Sequence, residues 1–210
     1  MKIVIFGASG KTGSLLVEDA LNAGFEVVVY VRKKESVKSK HSNLKIVEGQ
    51  LNDKEKLKSA ISGSDACIST LGGNSLTKHS TEIIQGIDNI VNTMDAEEIK
   101  RFIYLSSFGT GESRYYMPQP IRFLILDIML RVPIADHDTN EKRIMKSNLH
   151  WTIIQPGSLT DGSKTDNIKH GSEKTKLKGN AKISRKNVAY FILKQLTDNN
   201  YINKSVWLHE

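Results

Sequence analysis

Short apolar runs alternate with amphipathic stretches along most of the chain. Residues 3–6 form an apolar run that ends at a glycine, which is too short for a helix and typical of a buried strand. After Gly13, apolar residues recur every three or four positions and predict a helix. The same rhythm predicts strands at 25–31, 44–47, 65–70, 102–105, 151–154 and 205–208, and helices at about 53–61, 80–96 and 187–196. This alternation predicts an α/β fold of Rossmann type, with a doubly wound parallel sheet in a single domain.

Two stretches interrupt the rhythm. Residues 114–137 hold three of the four prolines and an apolar segment at 121–130, which we interpret as a cap over the sheet edge, a dimer face or a core helix. Residues 160–184 are polar and are predicted to form a loop or a small hairpin beside the site. The predicted organisation is one domain over residues 1–210, with a cap-like segment at about 114–136 and a loop region at about 160–184.

The turn between the first strand and the first helix is rich in glycine. Its spacing, G-x-x-G-x-x-G, differs from the older dinucleotide fingerprint, and it lacks the lysine position of a nucleotide-triphosphate loop. Glycines allow a sharp turn and close approach of the backbone to a ligand, and the N-terminus of the following helix favours phosphate. The turn therefore predicts a dinucleotide site. Its residues are Gly7, Ser9, Gly10, Lys11, Thr12 and Gly13.

The second predicted strand ends in Val31 and the basic residues Arg32, Lys33 and Lys34. In a dinucleotide fold this strand end meets the adenosine ribose, where an acidic residue would bind the 2′-hydroxyl. Arg32 instead predicts a bidentate contact with the 2′-phosphate of NADP(H). The alternative is that these basic residues are only solvated at the end of the strand. The acidic residue Glu35 also keeps binding of NAD(H) possible.

The carboxyl ends of the other strands are expected to complete the site, because open α/β sheets bind ligands at this edge. Small or polar residues follow several of these strands and leave room for a ligand there. The residues predicted to contact the cofactor at these ends are Gln50, Leu51, Leu71, Gly72, Gly73, Ser106, Pro156 and Ser158.

Composition narrows the classes of function. The net charge is +7, but the lysines are spread along the chain and lack the aromatic-basic pattern of nucleic-acid binding. The apolar stretches are far shorter than the ~20 residues of a membrane span, and the first strand leaves no room for a signal peptide. Cys67 is the only cysteine, which excludes an internal disulfide and a cysteine metal cluster. We expect a soluble cytoplasmic protein, a monomer or weak homodimer, that binds no nucleic acid, membrane or metal.

Several motifs taken together resemble those of a known family. They are Gly7-Ala8-Ser9-Gly10-Lys11-Thr12-Gly13, Val31-Arg32, Leu71-Gly72-Gly73, Leu105-Ser106-Ser107 and Ile154-Gln155-Pro156-Gly157. In this order they resemble the atypical short-chain dehydrogenases/reductases. Within these, the chain is similar nearly end to end to the NAD(P)H-binding, NmrA-like group and to the flavin reductases of the biliverdin reductase B type. The resemblance implies a Rossmann fold, bound NADP(H) and hydride transfer to a planar, electron-poor acceptor.

The chain departs from the standard short-chain dehydrogenases in its catalytic residues. Those enzymes use a Tyr-x-x-x-Lys pair as general acid, whereas here Asp138 stands four residues before Lys142. Ordinary alcohol–ketone chemistry is therefore not expected. The resemblance places His137 near the substrate side of the nicotinamide and Ser107 on the fifth strand, so these two are the candidate catalytic residues.

Simpler roles for these two residues are open alternatives. His137 would cap its helix or pair with Glu141, which lies on the same helical face, and Ser107 would only close its strand. A zinc site at His137 and Glu141 is disfavoured, because the sequence offers no evident third ligand.

Three functions follow from these observations. The leading one is an NADPH-dependent reductase that transfers a hydride to a flavin-like or other conjugated small-molecule acceptor. The second is a non-catalytic NAD(P)-binding redox sensor of NmrA-like type that acts through a protein partner. The third, an epimerase or dehydratase, is disfavoured by the missing tyrosine–lysine pair. The motifs do not separate the first two.

Overall fold

The strands and helices predicted from the rhythm of the chain are present in a computed structural model, which describes residues 1–73, 75–175 and 181–210. Asn74 and residues 176–180 of the predicted loop region, including two of its lysines, lie outside the described residues. The strands are β1 (Lys2–Phe6), β2 (Glu26–Val31), β3 (Leu44–Glu48), β4 (Ala66–Ser69), β5 (Arg101–Leu105), β6 (His150–Pro156), β7 (Ser158–Thr160), β8 (Lys169–Gly171), β9 (Lys182–Ser184) and β10 (Lys204–His209). The helices are α1 (Lys11–Asn22), α2 (Lys54–Ile61), α3 (Thr81–Ala96), α4 (Gln119–Arg122), α5 (Arg131–Met145) and α6 (Arg185–Lys194).

Eight strands form the main sheet, in the order β3-β2-β1-β4-β5-β6-β10-β8. All neighbouring pairs are parallel except β10 and β8, which are antiparallel. The strand order reverses at β1 and β4, which is the point where open α/β sheets bind their ligands. The predicted doubly wound fold is confirmed, with one antiparallel strand added at the edge.

Both faces of the sheet are buried under helices. Alternate side chains of β1 point to opposite faces. Ile3 and Ile5 pack in the core that includes residues of α1 and α6, whereas Val4 and Phe6 pack in the core that includes residues of α2 and α3. Because both faces are covered, the inner strands are continuous apolar runs rather than alternating ones. No helix within the described ranges has the length and apolar character needed to cross a bilayer.

The polar region after β6 is more regular than predicted. β7 pairs with β9 in parallel, and β8, which lies between them in the sequence, joins the edge of the main sheet beside β10. A hairpin requires two consecutive antiparallel strands, so the hairpin interpretation is wrong. After β7 the chain instead adds β8 to the edge of the main sheet and then returns to form β9 beside β7. Turn residues do not predict this path, because it depends on pairing between strands that are distant in sequence.

The apolar segment at 121–130 is not a core helix. It contains a π-helical stretch, Phe123–Met129, in which Leu126 alone is buried. Phe123, Leu124, Ile128 and Met129 are each more than half exposed. The core-helix interpretation is therefore wrong, since most of this stretch faces away from the two apolar cores of the sheet.

Candidate active site

Two of the three glycines in the first turn are required by the turn itself. Gly7 has a φ of +82°, and a Cβ on it would come 2.7 Å from Thr70 Oγ1. A Cβ on Gly13 would overlap the carbonyl oxygen of Gly7. Gly7 therefore needs the left-handed conformation that glycine adopts at little cost, and Gly13 allows α1 to pack closely against the end of β1.

Gly10 has a different role. Its backbone is extended, with φ −76° and ψ 165°, and a Cβ there would meet only the Gly7 carbonyl oxygen, at 3.2 Å. Gly10 is the N-cap of α1, and within the described part of the chain no side chain caps this helix. The first N–H groups of α1 have no partner inside the helix, and with the helix dipole they favour an anion. The missing side chain at Gly10 thus leaves an anion-binding turn open.

A cavity of about 480 Å³ lies along the carboxyl ends of β1, β2 and β4. Eight residues predicted to bind the cofactor line it: Gly7, Ser9, Gly10, Arg32, Leu51, Leu71, Gly72 and Gly73. The sequence reading missed several others, namely Tyr30, Val31, Gly49, Thr70 and the residues at 79–83. Most of these belong to strand ends or to the start of α3, and the strand-end rule used for their neighbours could have found them.

Seven predicted cofactor residues do not line this cavity, and four of them, Lys11, Thr12, Gly13 and Gln50, do not line the second cavity described below either. Thr12 and Gly13 are buried in the first turn of α1. Lys11 is exposed, and its Nζ lies 3.5 Å from a carboxylate oxygen of Asp161. Gln50 is exposed, and its carbonyl oxygen accepts a hydrogen bond of 2.7 Å from the hydroxyl of Tyr30. Contacts between these residues and a cofactor stay predictions.

A second cavity, of about 380 Å³, lies at the carboxyl ends of β5 and β6. The predicted residues Ser106, Ser107, His137, Pro156 and Ser158 line it. Its other walls are mostly apolar and include Phe108, Met117, Ile125, Leu126, Leu130 and Leu159, together with the cation Arg185. One side of the segment at 117–130 therefore forms a wall of this cavity.

The two cavities adjoin at Gly72 and His137. Gly72 lines the first cavity and His137 lines the second. A Cβ on Gly72 would lie 3.9 Å from His137 Nε2. A polar, glycine-rich cavity and an apolar cavity thus meet at a histidine on the carboxyl edge of the sheet.

His137 pairs with a tyrosine of the sheet. Its Nδ1 lies 2.7 Å from the hydroxyl of Tyr104 on β5, and Asn140 Nδ2 donates to the same hydroxyl at 3.0 Å. Burial lowers the pKa of His137 from 6.5 to about 4, against the opposing charges of Asp136 and Asp138, so the imidazole is neutral near pH 7. His137 lies inside α5 rather than at its N-cap, and in the described part of the chain no hydrogen bond or ion pair joins it to Glu141, so both simpler roles considered for it are wrong.

Glu141 belongs to a separate buried network behind the second cavity. Its Oε1 accepts hydrogen bonds from Ser106 Oγ at 2.5 Å, Thr110 Oγ1 at 2.6 Å and Gln155 Nε2 at 3.0 Å. Burial raises the pKa of the Glu141 carboxyl, while these three hydrogen bonds lower it. The network ties β5, β6 and α5 together. In the described ranges, no group of three or more side chains could hold a metal ion.

A second histidine lies at the rim of the first cavity. His79 Nδ1 is 2.5 Å from Asp136 Oδ1, and the backbone N–H of Ser80 donates to the other oxygen of Asp136 at 2.7 Å. Asp136 and His137 are adjacent in α5: Asp136 bonds to His79 and Ser80 of the first cavity, whereas the His137 side chain itself lines the second. Sequence reasoning missed Asp136, Tyr104 and Asn140, because their partners are distant along the chain.

This fold, with a glycine turn at the switch point of a doubly wound sheet, is typical of dinucleotide-binding proteins. A family model described as NAD(P)H-binding matches residues 7–199. The chain belongs to this NAD(P)H-binding family.

Curated relatives match most of the chain at low identity. An uncharacterised chloroplastic protein of Arabidopsis thaliana is 28% identical over a gapped alignment of 200 positions, which covers 90% of this chain and 69% of the relative. Eugenol synthase 1 of Petunia hybrida is 28% identical over a gapped alignment of 226 positions, which covers 99% of this chain and 68% of the relative.

Solved structures share the whole fold. The oxidoreductase ylbE of Lactococcus lactis has a TM-score of 0.83 at 25% identity, covering 100% of this chain and 91% of that one. A short-chain dehydrogenase/reductase of Veillonella parvula in complex with NADP has a TM-score of 0.82 at 19% identity, with coverage of 100% and 94%. The anaerobilin reductase ChuY of Escherichia coli O157:H7 has a TM-score of 0.82 at 20% identity, with coverage of 100% and 97%. These structures confirm the predicted Rossmann-type fold, and the chain is an NAD(P)H-binding oxidoreductase.

Proposed function

We propose that this protein is an NADPH-dependent reductase that transfers a hydride to a flavin-like or other conjugated small molecule. The observation that carries this proposal is the meeting of the two cavities at Gly72 and His137. A polar cavity with an open glycine turn suits a dinucleotide, and an apolar cavity with a few polar groups is typical of a small-molecule site.

The residues of the first cavity fit a nicotinamide dinucleotide. The open turn at Gly10 and the N-terminus of α1 would hold the pyrophosphate, and a bound nicotinamide would supply the hydride. Arg32 lines this cavity at the end of β2 and supports NADP(H) over NAD(H), because a guanidinium group binds a phosphate strongly. The NADP bound by the Veillonella parvula protein agrees with this assignment.

The second cavity suits an acceptor that does not need an obligatory protein acid. Asp138 and Lys142 stand where standard enzymes have their catalytic pair, and Lys142 is exposed on α5. Ser107 and His137 are polar groups on an otherwise largely apolar wall, where they would orient the acceptor. The name of ChuY, an anaerobilin reductase, is in line with a conjugated acceptor.

A second candidate is a redox sensor that binds NAD(P) and acts through a protein partner. Its support is the exposed apolar surface of Phe123, Leu124, Ile128 and Met129, next to the second cavity. For both candidates we propose a cytoplasmic location, because the only cysteine, Cys67, is fully buried and free, as is common in reducing compartments.

Turnover separates the two candidates. NADPH oxidation would be followed with FMN, riboflavin and simple quinones, and NADPH affinity would be titrated separately on the same preparation. Steady oxidation that depends on the acceptor is expected from the reductase. Tight NADPH binding without turnover of any of these acceptors would contradict the reductase and favour the sensor. A folded Gly10→Val variant, which should not bind NADPH, provides the blank rate.

A further inference from the structure

We infer that Tyr104 is a positioning residue that holds His137 in the tautomer with its proton on Nε2, so that His137 offers a neutral N–H to the acceptor. The tautomer follows from the fold alone, whereas its use in reduction rests on the proposed function.

The hydrogen bonds around the Tyr104 hydroxyl determine which neighbouring group receives its proton. A tyrosine hydroxyl has one proton to donate and can also accept hydrogen bonds. Asn140 Nδ2 donates to this oxygen at 3.0 Å, and His137 Nδ1 lies 2.7 Å away. The Tyr104 proton therefore goes to His137 Nδ1, which must be the unprotonated nitrogen of a neutral ring. The ring proton is then on Nε2.

The opposite tautomer would leave a buried donor unsatisfied. If Nδ1 carried the proton, it would donate to Tyr104, and the phenol proton would be left facing the Asn140 amide, which in the observed orientation is itself a donor to that oxygen. Tyr104 is fully buried, so this proton could not turn to bulk water. Leaving a buried donor unpaired is costly, and this cost selects the Nε2–H form.

His137 Nε2 is the ring atom that lies toward the junction of the cavities. A Cβ on Gly72, in the first cavity, would be 3.9 Å from this atom, and the His137 side chain lines the second cavity beside Ser107. An N–H here suits an acceptor with a carbonyl oxygen or an unprotonated ring nitrogen conjugated to the atom that receives the hydride. When that atom gains the hydride and its electron pair, negative charge develops on the heteroatom, and a preorganised N–H stabilises it. His137 keeps its proton, and water later protonates the reduced acceptor.

The surroundings of His137 keep this donor unchanged over a wide pH range. Asp136 and Asp138 on α5 favour the imidazolium, but burial has the larger effect and lowers the pKa of His137 to about 4. Asp136 is in turn bonded to His79, from the loop before α3, and Tyr104 faces His137 from β5. Removing the Tyr104 hydroxyl should raise the pKa of His137, because that hydroxyl donates only to the neutral ring.

The test uses the full chain with Tyr104→Phe and a matched control. Tyr201 forms a similar pair elsewhere, with its hydroxyl 2.8 Å from His170 Nδ1, and neither residue lines either active-site cavity. Histidine labelled with ¹⁵N distinguishes the tautomers by NMR, and a His137→Gln variant identifies the signals of His137 among the six histidines. Tyr201→Phe should change only the His170 signals.

The expected result is a wild-type His137 protonated on Nε2 and a Tyr104→Phe protein in which this preference is lost. Tyr104→Phe should also lower kcat/KM roughly tenfold, as for loss of one hydrogen bond to a developing charge, and give a new pH dependence below about pH 7. A wild-type ring protonated on Nδ1 would overturn the inference even if no variant folds. If the Tyr104→Phe protein loses the preference for the Nε2–H tautomer but reduces the acceptor at the wild-type rate, the positioning role of Tyr104 is overturned. If the tautomer is as expected but wild type reduces no acceptor, the proposed function fails and the inference about Tyr104 and the ring stands.

Discussion

Arg185 and Asp161 form an ion pair beside the second cavity, with Arg185 Nη1 2.6 Å from Asp161 Oδ1. The Arg185 side chain is only 18% exposed and lines the cavity, whereas Asp161 is 69% exposed and is also 3.5 Å from Lys11 Nζ. Arg185, Lys11 and Asp161 together carry a net positive charge, and Arg185 is the member of this group that lines the second cavity. An acceptor with a phosphate or carboxylate group would complement that charge.

Replacement of Arg185 should therefore change the choice of acceptor. In an Arg185→Ala variant, KM for FMN should rise by roughly tenfold or more, because a charge-assisted hydrogen bond contributes about 1.5–3 kcal/mol. KM for riboflavin, which lacks the phosphate, should change little. Steady-state kinetics with both flavins at saturating NADPH measure this difference. Equal changes for the two flavins would show that Arg185 does not bind the anionic group.

The preference for NADPH should depend on Arg32. Arg32→Ala should lose roughly tenfold or more in affinity for NADPH, since a guanidinium contact with the 2′-phosphate would be lost. Affinity for NADH, which has no such phosphate, should be nearly unchanged. Fluorescence titration with both cofactors tests this, with Lys33→Ala, one residue beyond the cavity lining, as the control. Equal losses for both cofactors, or a wild-type preference for NADH, would reject the assignment.

Two glycines of the same turn should behave differently. Gly10→Val should fold, because its backbone is extended and, among the described residues, its Cβ requires only the Gly7 carbonyl oxygen, at 3.2 Å, to shift by a few tenths of an ångström. Its side chain should block the turn and nearly abolish NADPH binding. Gly13→Ala should lower the melting temperature, since its Cβ overlaps the Gly7 carbonyl oxygen. Thermal unfolding and NADPH titration of both variants separate the two effects. A Gly10→Val protein that binds NADPH like wild type would place the phosphates elsewhere.

The stability of the protein should fall in acid because of His137. Its pKa is about 4 when folded and 6.5 ordinarily, so the unfolded chain binds the additional proton between these values. The contribution of the neutral ring to the free energy of unfolding is thus complete above about pH 6.5. It is lost as the pH falls toward 4, and this loss is about 3 kcal/mol at most. Urea unfolding of wild type and His137→Gln from pH 4 to 7.5 measures it. Parallel stability curves for the two proteins would contradict the low pKa.

The reaction should depend on pH only weakly between about 6 and 8, with no break near the ~6.5 of a free histidine. His137→Ala should lower kcat/KM at the modest end of the ~10²–10⁴ range for a general acid–base group, and Ser107→Ala should act similarly. Rates of NADPH oxidation with FMN and quinones across this range provide the measurement. A His137→Ala protein that binds NADPH normally and is inactive at every pH would make His137 an essential acid.

Much of the fold could be predicted because its signals are local. The apolar runs of the parallel strands, the glycine turn and the Asp53 cap, which accepts from the Lys56 N–H, all depend on neighbours in sequence. β8 could not be found in this way, because its partner β10 lies more than thirty residues later and only the assembled sheet offers that edge.

In the candidate site, too, residues marked by local signals could be predicted and contacts between distant residues could not. Strand-end residues such as Arg32 and Ser107 were predictable, since parallel strands deliver their carboxyl ends to one edge. The pairing of Tyr104 with His137 was not, because it depends on where α5 packs on β5. Glu141 shares a helical face with His137, yet its partners Ser106 and Gln155 come from two strands, so helical spacing suggested the wrong neighbour.

The wall of the second cavity formed by Ile125, Leu126 and Leu130 lies outside the two apolar cores of the sheet. Substitutions there should change the shape of the second cavity while the glycine turn and the packed sheet stay intact. Under the proposed function, a change of acceptor would therefore need substitutions in the segment at 117–130 and none in the glycine turn.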